Sequence, residues 1–247
     1  MYAHASQGPP LTRNLAVSPW QYKDLNDGDP WNAWVAYSDY LFPERFESIT
    51  GKDAFQPDII ELLTWNDFPE SHYLRDLPGQ NDETATDYVT LGDYGNYVWG
   101  QDHSGWRRIA RYYINYWKTG KRPTINHDWV VYWYRIHPKN AHCQGGLSTP
   151  IRNSDFPADA VFAWALVKDA ATISMSVGSN KYWTFEADAG VPSMGMVPFP
   201  KDLSNGVTPE VAIMRNKQMV KYGKGSQPIT ADCSWANFNP VVGVAGP

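Results

Sequence analysis

DIIELLTW, residues 58 to 65, opens on Asp58 and continues as an almost unbroken apolar run with one acid inside it, Glu61. A run of this length without polar alternation reads as a strand covered on both faces, the environment of a parallel sheet packed between helices. Upstream, NLAVSPW (14–20) reads as a short buried strand that stops at Ser18-Pro19, because proline removes a ladder donor. Between the two runs lie a loop rich in Gly, Asp and Pro and then PERFESITG (43–51), where Phe46 and Ile49 are spaced i, i+3. Pro43 stands near a helix start and Gly51 where a C-terminal cap belongs. Strand, helix and strand in that order predict a parallel crossover.

The pattern repeats downstream. Residues 75–103 form a long polar stretch rich in Gly and Asp, of a length that compact domains reserve for functional or loosely ordered loops. SGWRRIARYYINYWKTGKRP (104–123) then places Trp106, Ile109, Ala110, Tyr113 and Trp117 on one helical face, with Ser104 as N-cap and Gly120 and Pro123 as stop signals. DWVVYWYR (128–135) supplies the next strand, so the first half predicts a parallel sheet of (β/α)-barrel or doubly wound type. From about residue 138 the pattern changes. HPKNAHCQGGLSTP has the composition of a linker, and beyond it DAVFAWALV, ATISMSVG, KYWTFEA, EVAIMRN and KQMVKYG recur at the spacing of an antiparallel β-sandwich. The expected organisation is α/β over residues 1–138 and all-β over 139–247.

Composition limits the function. A net charge of -5 without a dense basic run excludes a nucleic-acid surface. The apolar stretches are strand-sized, well short of the roughly 20 residues a helical bilayer crossing needs. MYAHASQGPPLTRN has no charged segment followed by an apolar core, so no secretory leader is read there. The only cysteines, Cys143 and Cys233, are too far apart in sequence for a CxxC pair and fit one disulfide or two buried thiols, the disulfide being favoured. The 12 Trp and 15 Tyr suit stacking on sugar rings, but core packing accounts for more of them.

Past the strand, Asp67 and Glu70 offer two carboxyls separated by Phe68 and the stiffening Pro69. The C-terminal ends of parallel strands are where loops assemble active sites. Two carboxyls so placed can divide into an acid and a base or nucleophile, the equipment for cleaving a glycosidic bond. Spacing alone favours a plainer reading, in which Asp67 caps the next turn and Glu70 completes a helix-start pattern. Around the pair, Trp65, Asn66, His72 and Tyr73 could stack on a sugar or orient its hydroxyls, although an isolated His is more often structural. Asp102 and His103 read as a cap with a solvated neighbour. Arg135 and His137 end the third strand, either facing a site or pointing outward.

LLTWNDFPESHYL (62–74) resembles the Trp-Asn-Asp-Tyr-Gly-Glu-Ser-His-Tyr signature of glycoside hydrolase family 71, the fungal α-1,3-glucanases or mutanases. AVSPW, which contains Trp20, FQPDIIELLTWND, DHSGWRRIARYYINYWKTGK, VVYWYRIHP and WANFNPVVG each resemble further parts of that family, so the similarity spans nearly the whole chain. The resemblance implies Asp67 and Glu70 as the catalytic pair, with Trp65, Asn66, His72, Tyr73 and Trp20 around the substrate. It also implies an extracellular or cell-wall enzyme on α-1,3-glucan, inverting, without metal or cofactor, and monomeric when complete. An inverting pair usually sits about 6.5 to 9.5 Å apart. Here Phe68-Pro69 replaces the family's Tyr-Gly. Since a whole barrel takes about 250 residues, the resemblance implies the C-terminal portion of a (β/α)8 TIM-type barrel followed by a β-sandwich, a chain that alone is a poor enzyme. The rival readings are a non-catalytic glucan-binding protein, with Tyr182, Trp183 or Trp235 on the sugar, and an inactive fragment.

Overall fold

The computed structural model describes residues 12–25, 27–51, 53–77, 91, 94–141, 143–144 and 150–247. Most of the N-terminal stretch, much of the loop expected at 75–103 and part of the expected linker at 137–150 lie outside the described residues.

The strand β1 (Asn14–Val17) is followed by a hairpin of β2 (Tyr22–Asp24) and β3 (Ala33–Val35), where the sequence predicts a loop. Helix α1 (Leu41–Glu47) and β4 (Ile59–Leu62) complete the crossover. β1 and β4 pair in parallel, from Asn14 opposite Ile59 to Val17 opposite Leu62, as strand, helix and strand predict. The expectation that 58–65 is covered on both faces fails: β4 is half-buried at best, and Ile59 is 50% exposed. Among the described residues its sheet has two strands, so β4 is an edge.

After the short α2 (Gly95–Val98), α3 (Trp106–Thr119) buries Trp106, Ile109, Ala110 and Tyr113 of the expected face, with Tyr112 buried besides and Trp117 only partly covered. Its end is set by Gly120, which takes φ 66° and donates its N–H to the Tyr116 carbonyl at 2.8 Å. Its start differs from expectation. Gly105 occupies the N-cap, and Ser104 is turned onto Asp102, bonding through its N–H at 2.8 Å and its hydroxyl at 2.9 Å. No helix among the described residues is long and apolar enough to cross a membrane.

The strand expected to extend the parallel sheet does something else. β5 (Trp129–Arg135) lies in a four-stranded antiparallel sheet, between β6 (Ala160–Leu166) and β12 (Pro240–Ala245), with β9 (Ser193–Pro198) beyond β6. A second antiparallel sheet has the order β11-β10-β7-β8, formed by β7 (Ala171–Val177), β8 (Asn180–Ala187), β10 (Glu210–Arg215) and β11 (Gln218–Lys224). Two cores explain the misreading. Val131, Trp133, Phe162 and Trp164 face α1 and α3, whereas Val130, Tyr132, Val161 and Ala163 face Ile173, Met175, Val211 and Ile213 of the other sheet. β5 and β6 are therefore apolar on both faces because helices cover one side and a sheet the other. Burial on two faces, which reads as parallel pairing, is here a property of a middle layer.

The layers are pinned at a polar seam built by WANFNP (235–240). Asn237 and Asn239 each donate to the Tyr97 carbonyl, at 3.1 and 3.0 Å, and Trp20 donates to the Phe238 carbonyl at 2.9 Å. The favoured disulfide is present: Cys143 and Cys233 are joined, with their Cα atoms 4.6 Å apart.

Candidate active site

β1 and β4 end side by side, and their next residues converge. Ser18 leaves β1, and the segment 64–72 leaves β4 as a tight loop whose ends meet where the Thr64 N–H donates to the His72 carbonyl at 2.8 Å. Within it, the Asp67 N–H donates to Thr64 Oγ1 at 2.9 Å and the Glu70 N–H donates to Asp67 Oδ1 at 3.1 Å. Asp67 is thus the turn cap that spacing suggests, but with one oxygen only. Its Oδ2 lies 3.1 Å from His72 Nε2, and Glu70 Oε2 lies 3.6 Å from the same nitrogen.

Backbone conformation makes this convergence possible. Ser71 holds φ 61°, a left-handed geometry unusual for a residue with a side chain, and it separates Glu70 from His72. The loop is clamped from outside: the Tyr22 N–H donates to the Glu70 carbonyl at 3.1 Å, and the Tyr97 hydroxyl donates to the Pro69 carbonyl at 2.7 Å. Phe68, at the position where the family signature has Tyr, is buried 4.9 Å from the Tyr73 ring, so no hydroxyl is called for there.

Asp67, Glu70 and His72 are brought together as one cluster, with one ligating atom from each lying within 4.8 Å of the others. That places the two carboxyls closer than the roughly 6.5 to 9.5 Å expected of an inverting pair. The physical reason is the turn: the three-residue step from Asp67 to Glu70 is folded back on itself by the Glu70 N–H bond to Asp67 Oδ1, which draws the two side chains together.

The remaining expectations divide. Trp65 is 60% exposed, and Asn66 is exposed beside it, both at the open rim. His72 is buried and faces the carboxyls, so it supports the pair and has little surface to offer a sugar. Two substrate assignments are corrected by burial. Trp20 is 1% exposed and its indole N–H is used within the core. Tyr73 has no exposed surface; its hydroxyl donates to the Gln101 carbonyl at 2.5 Å, and its ring stacks on His103 at 3.9 Å. Neither presents a face to a ligand.

His103 is likewise not a solvated neighbour of a cap. It is fully buried, and burial pushes its pKa down to about 4, overriding the Tyr73 and Pro240 carbonyls that face its two ring nitrogens and favour protonation. Arg135 points inward, donating to Asp159 and to the His137 carbonyl with its guanidinium over the Phe238 ring. His137 is buried and its Nδ1 meets the Thr230 carbonyl.

Sequence reading missed two residues. Lys23 of β2 sets its ammonium 3.8 Å from Glu70 Oε1, and Ser18 Oγ lies 3.3 Å from His72 Nδ1. Ser18 had a signal: it follows β1 as Asp67 follows β4, and adjacent parallel strands deliver such residues to the same end. Lys23 had none, because its hairpin was not foreseen.

At the C-terminal end of the parallel strands the structure thus gathers two carboxyls with an imidazole and an ammonium within ion-pair range, groups able to give and take protons. The chain belongs to glycosyl hydrolase family 71, whose family model matches residues 2–246. It is 31% identical over 229 residues to the glucan endo-1,3-alpha-glucosidase of Schizosaccharomyces pombe, a match covering 92% of this chain and 49% of that protein. A mutanase of Penicillium rubens is 29% identical over 231 residues, covering 92% of this chain and 46% of its own. The ascus wall endo-1,3-alpha-glucanase of S. pombe is 23% identical over 189 residues, 74% of this chain and 42% of that protein. The chain thus spans about half the length of the curated relatives it matches. No solved structure matches it.

Proposed function

We propose that the chain carries the catalytic pair of a glycoside hydrolase acting on α-1,3-glucan, with Asp67 and Glu70 sharing the acid and base roles. The observation that carries this reading is the convergence of the two carboxyls and His72 at the exposed end of the parallel strand pair. One carboxyl protonates the departing glycosidic oxygen while its partner takes a proton from the attacking water or itself bonds to the anomeric carbon as the glycosidic bond breaks. His72 stands between the two carboxyls with Ser18 at its other nitrogen, and the Lys23 ammonium faces Glu70. Trp65 and Asn66, at the rim, are the groups placed to meet the sugar. The substrate comes from the glucanase and mutanase names of the relatives.

The same reading takes β1 and β4 as the last strands of a (β/α)8 barrel, supported by their parallel pairing and by relatives about twice as long. An extracellular or cell-wall location fits the Cys143–Cys233 disulfide, since such bonds persist in oxidising compartments. Inversion is not carried into the proposal, because the carboxyls stand closer than that arrangement usually requires; the anomer first released from α-1,3-glucan decides it, β for inversion and α for retention. The test of the pair is release of reducing ends from insoluble α-1,3-glucan by wild type, D67N and E70Q. Near-normal turnover by both variants overturns the assignment.

A second reading has its own observation: Tyr182 and Trp183 stand exposed on β8, an edge strand of the outer sheet. Two such rings suit glucan binding without cleavage. Co-sedimentation with insoluble α-1,3-glucan, lost on replacing both by Ala, supports it; no retention of the wild type dismisses it.

A further inference from the structure

In the cluster that holds the two carboxyls, the two edges that meet at His72 have the dimensions of a metal site, and all three ligand atoms lie within 4.8 Å of one another. Tetrahedral zinc holds nitrogen and oxygen ligands at about 2.0 to 2.2 Å, which puts neighbouring ligand atoms roughly 3.3 Å apart. His72 Nε2 lies 3.1 Å from Asp67 Oδ2 and 3.6 Å from Glu70 Oε2, on either side of that edge length.

A second observation is independent of those distances. The His72 side chain is only 7% exposed, yet its Nε2 makes no hydrogen bond of acceptable geometry with either carboxyl. The nitrogen sits within ion-pair range of both oxygens without being aimed at one as a donor. At its other end, Nδ1 lies 3.3 Å from Ser18 Oγ, a hydroxyl able to accept the Nδ1–H and so leave the Nε2 lone pair free. A ligating imidazole commonly has its second nitrogen fixed by such an outer partner. Asp67 and Glu70 are both partly exposed, which leaves an entry path and room for a water ligand. Lys23 is the opposing influence, but its ammonium is on Oε1 of Glu70, the oxygen turned away from His72.

We propose that Asp67, Glu70 and His72 bind a divalent transition cation of the zinc class, and that its binding switches the site off. An imidazole with two carboxylates selects zinc over magnesium, which prefers oxygen donors and retains its waters. The bound ion withholds both carboxyls from proton transfer, so zinc is an inhibitor of this site and no cofactor. The inhibitory half rests on the proposed hydrolase function; the binding half stands without it.

Calorimetric titration of the full chain with zinc chloride, with magnesium chloride as control, separates the two. Expected is one zinc per chain, no comparable magnesium binding, and zinc affinity lowered at least about tenfold by H72Q and by S18A. The more exposed D67N carries the same expectation should H72Q fail to fold. Absence of zinc binding, or binding unchanged in the variants that fold, overturns the proposal. Glucan hydrolysis by the wild type should fall as zinc saturates and return with a chelator. Zinc bound at full stoichiometry with hydrolysis undiminished overturns the inhibitory half. Inactivity even after chelation counts against hydrolysis by this chain on its own and not against the metal site, which calorimetry still decides.

Discussion

At the residue scale, Asp67 does two jobs with two oxygens. Oδ1 caps the turn that carries Glu70, and Oδ2 faces His72. D67N keeps a side-chain oxygen for the cap while removing the proton-transfer group, so it should fold normally yet lose turnover on α-1,3-glucan by about 10² to 10⁴-fold, as should E70Q. Thermal unfolding beside the rate measurement separates lost chemistry from lost fold. Ser71 offers a different test. Its left-handed φ costs a residue with a side chain roughly 1 to 2 kcal/mol, and its buried hydroxyl has no hydrogen-bond partner. S71G removes both burdens against glycine's entropic cost of about 0.5 to 1 kcal/mol. Denaturant unfolding should show S71G as stable as the wild type or up to about 1 kcal/mol more so, whereas S71V should be markedly destabilised. Asp67, Glu70 and His72 were legible because they fall within six residues of one another. Ser18 and Lys23 reach the cluster through other strands.

At the element scale, the middle sheet is the part most sensitive to volume. Tyr132 of β5 crosses to the sheet-sheet core over Gly243 of β12, where an added Cβ would fall 2.2 Å from the Tyr132 ring. Neither group is at the end of a flexible chain, so G243A should cost about 1 to 3 kcal/mol in urea unfolding; a variant of wild-type stability would mean that the ring can move aside. The helices were readable because their apolar residues recur at the period of one face and Gly120 supplies the left-handed cap. The hairpin β2–β3 was not, because strands of three residues are too short to show an alternation.

At the scale of the whole molecule, pH acts through buried histidines. His103 is held neutral by burial with its pKa pushed down to about 4, and burial lowers that of His137 as well. The unfolded chain takes up these protons near pH 6.5, ahead of the folded one, so stability is greatest above that pH and declines as pH falls towards about 4. For His103 the loss is on the order of 3 kcal/mol. Denaturant unfolding at pH 7 and pH 4.5 should show a smaller decline for H103N than for the wild type; equal declines would remove His103 as the cause. The Cys143–Cys233 bond closes a span of 90 residues, and chain entropy gives it about 4.6 kcal/mol. Replacing both cysteines with Ser should lower stability by an amount of that order.

By itself the sequence determined the local elements, the closely spaced carboxyl pair and, through its resemblance, the family. Only the tertiary structure decided which strands share a sheet, that the run 129–135 lies antiparallel in a middle layer, that Trp20 and Tyr73 are core, and that Lys23 and Ser18 complete the site. The physical reason is one of range. Helical period, turn chemistry and residue spacing are written within a few positions of each other, whereas burial on a given face depends on what arrives from far along the chain. A run such as WVVYWYR is apolar on both sides whether helices cover both faces or a helix covers one and a second sheet the other.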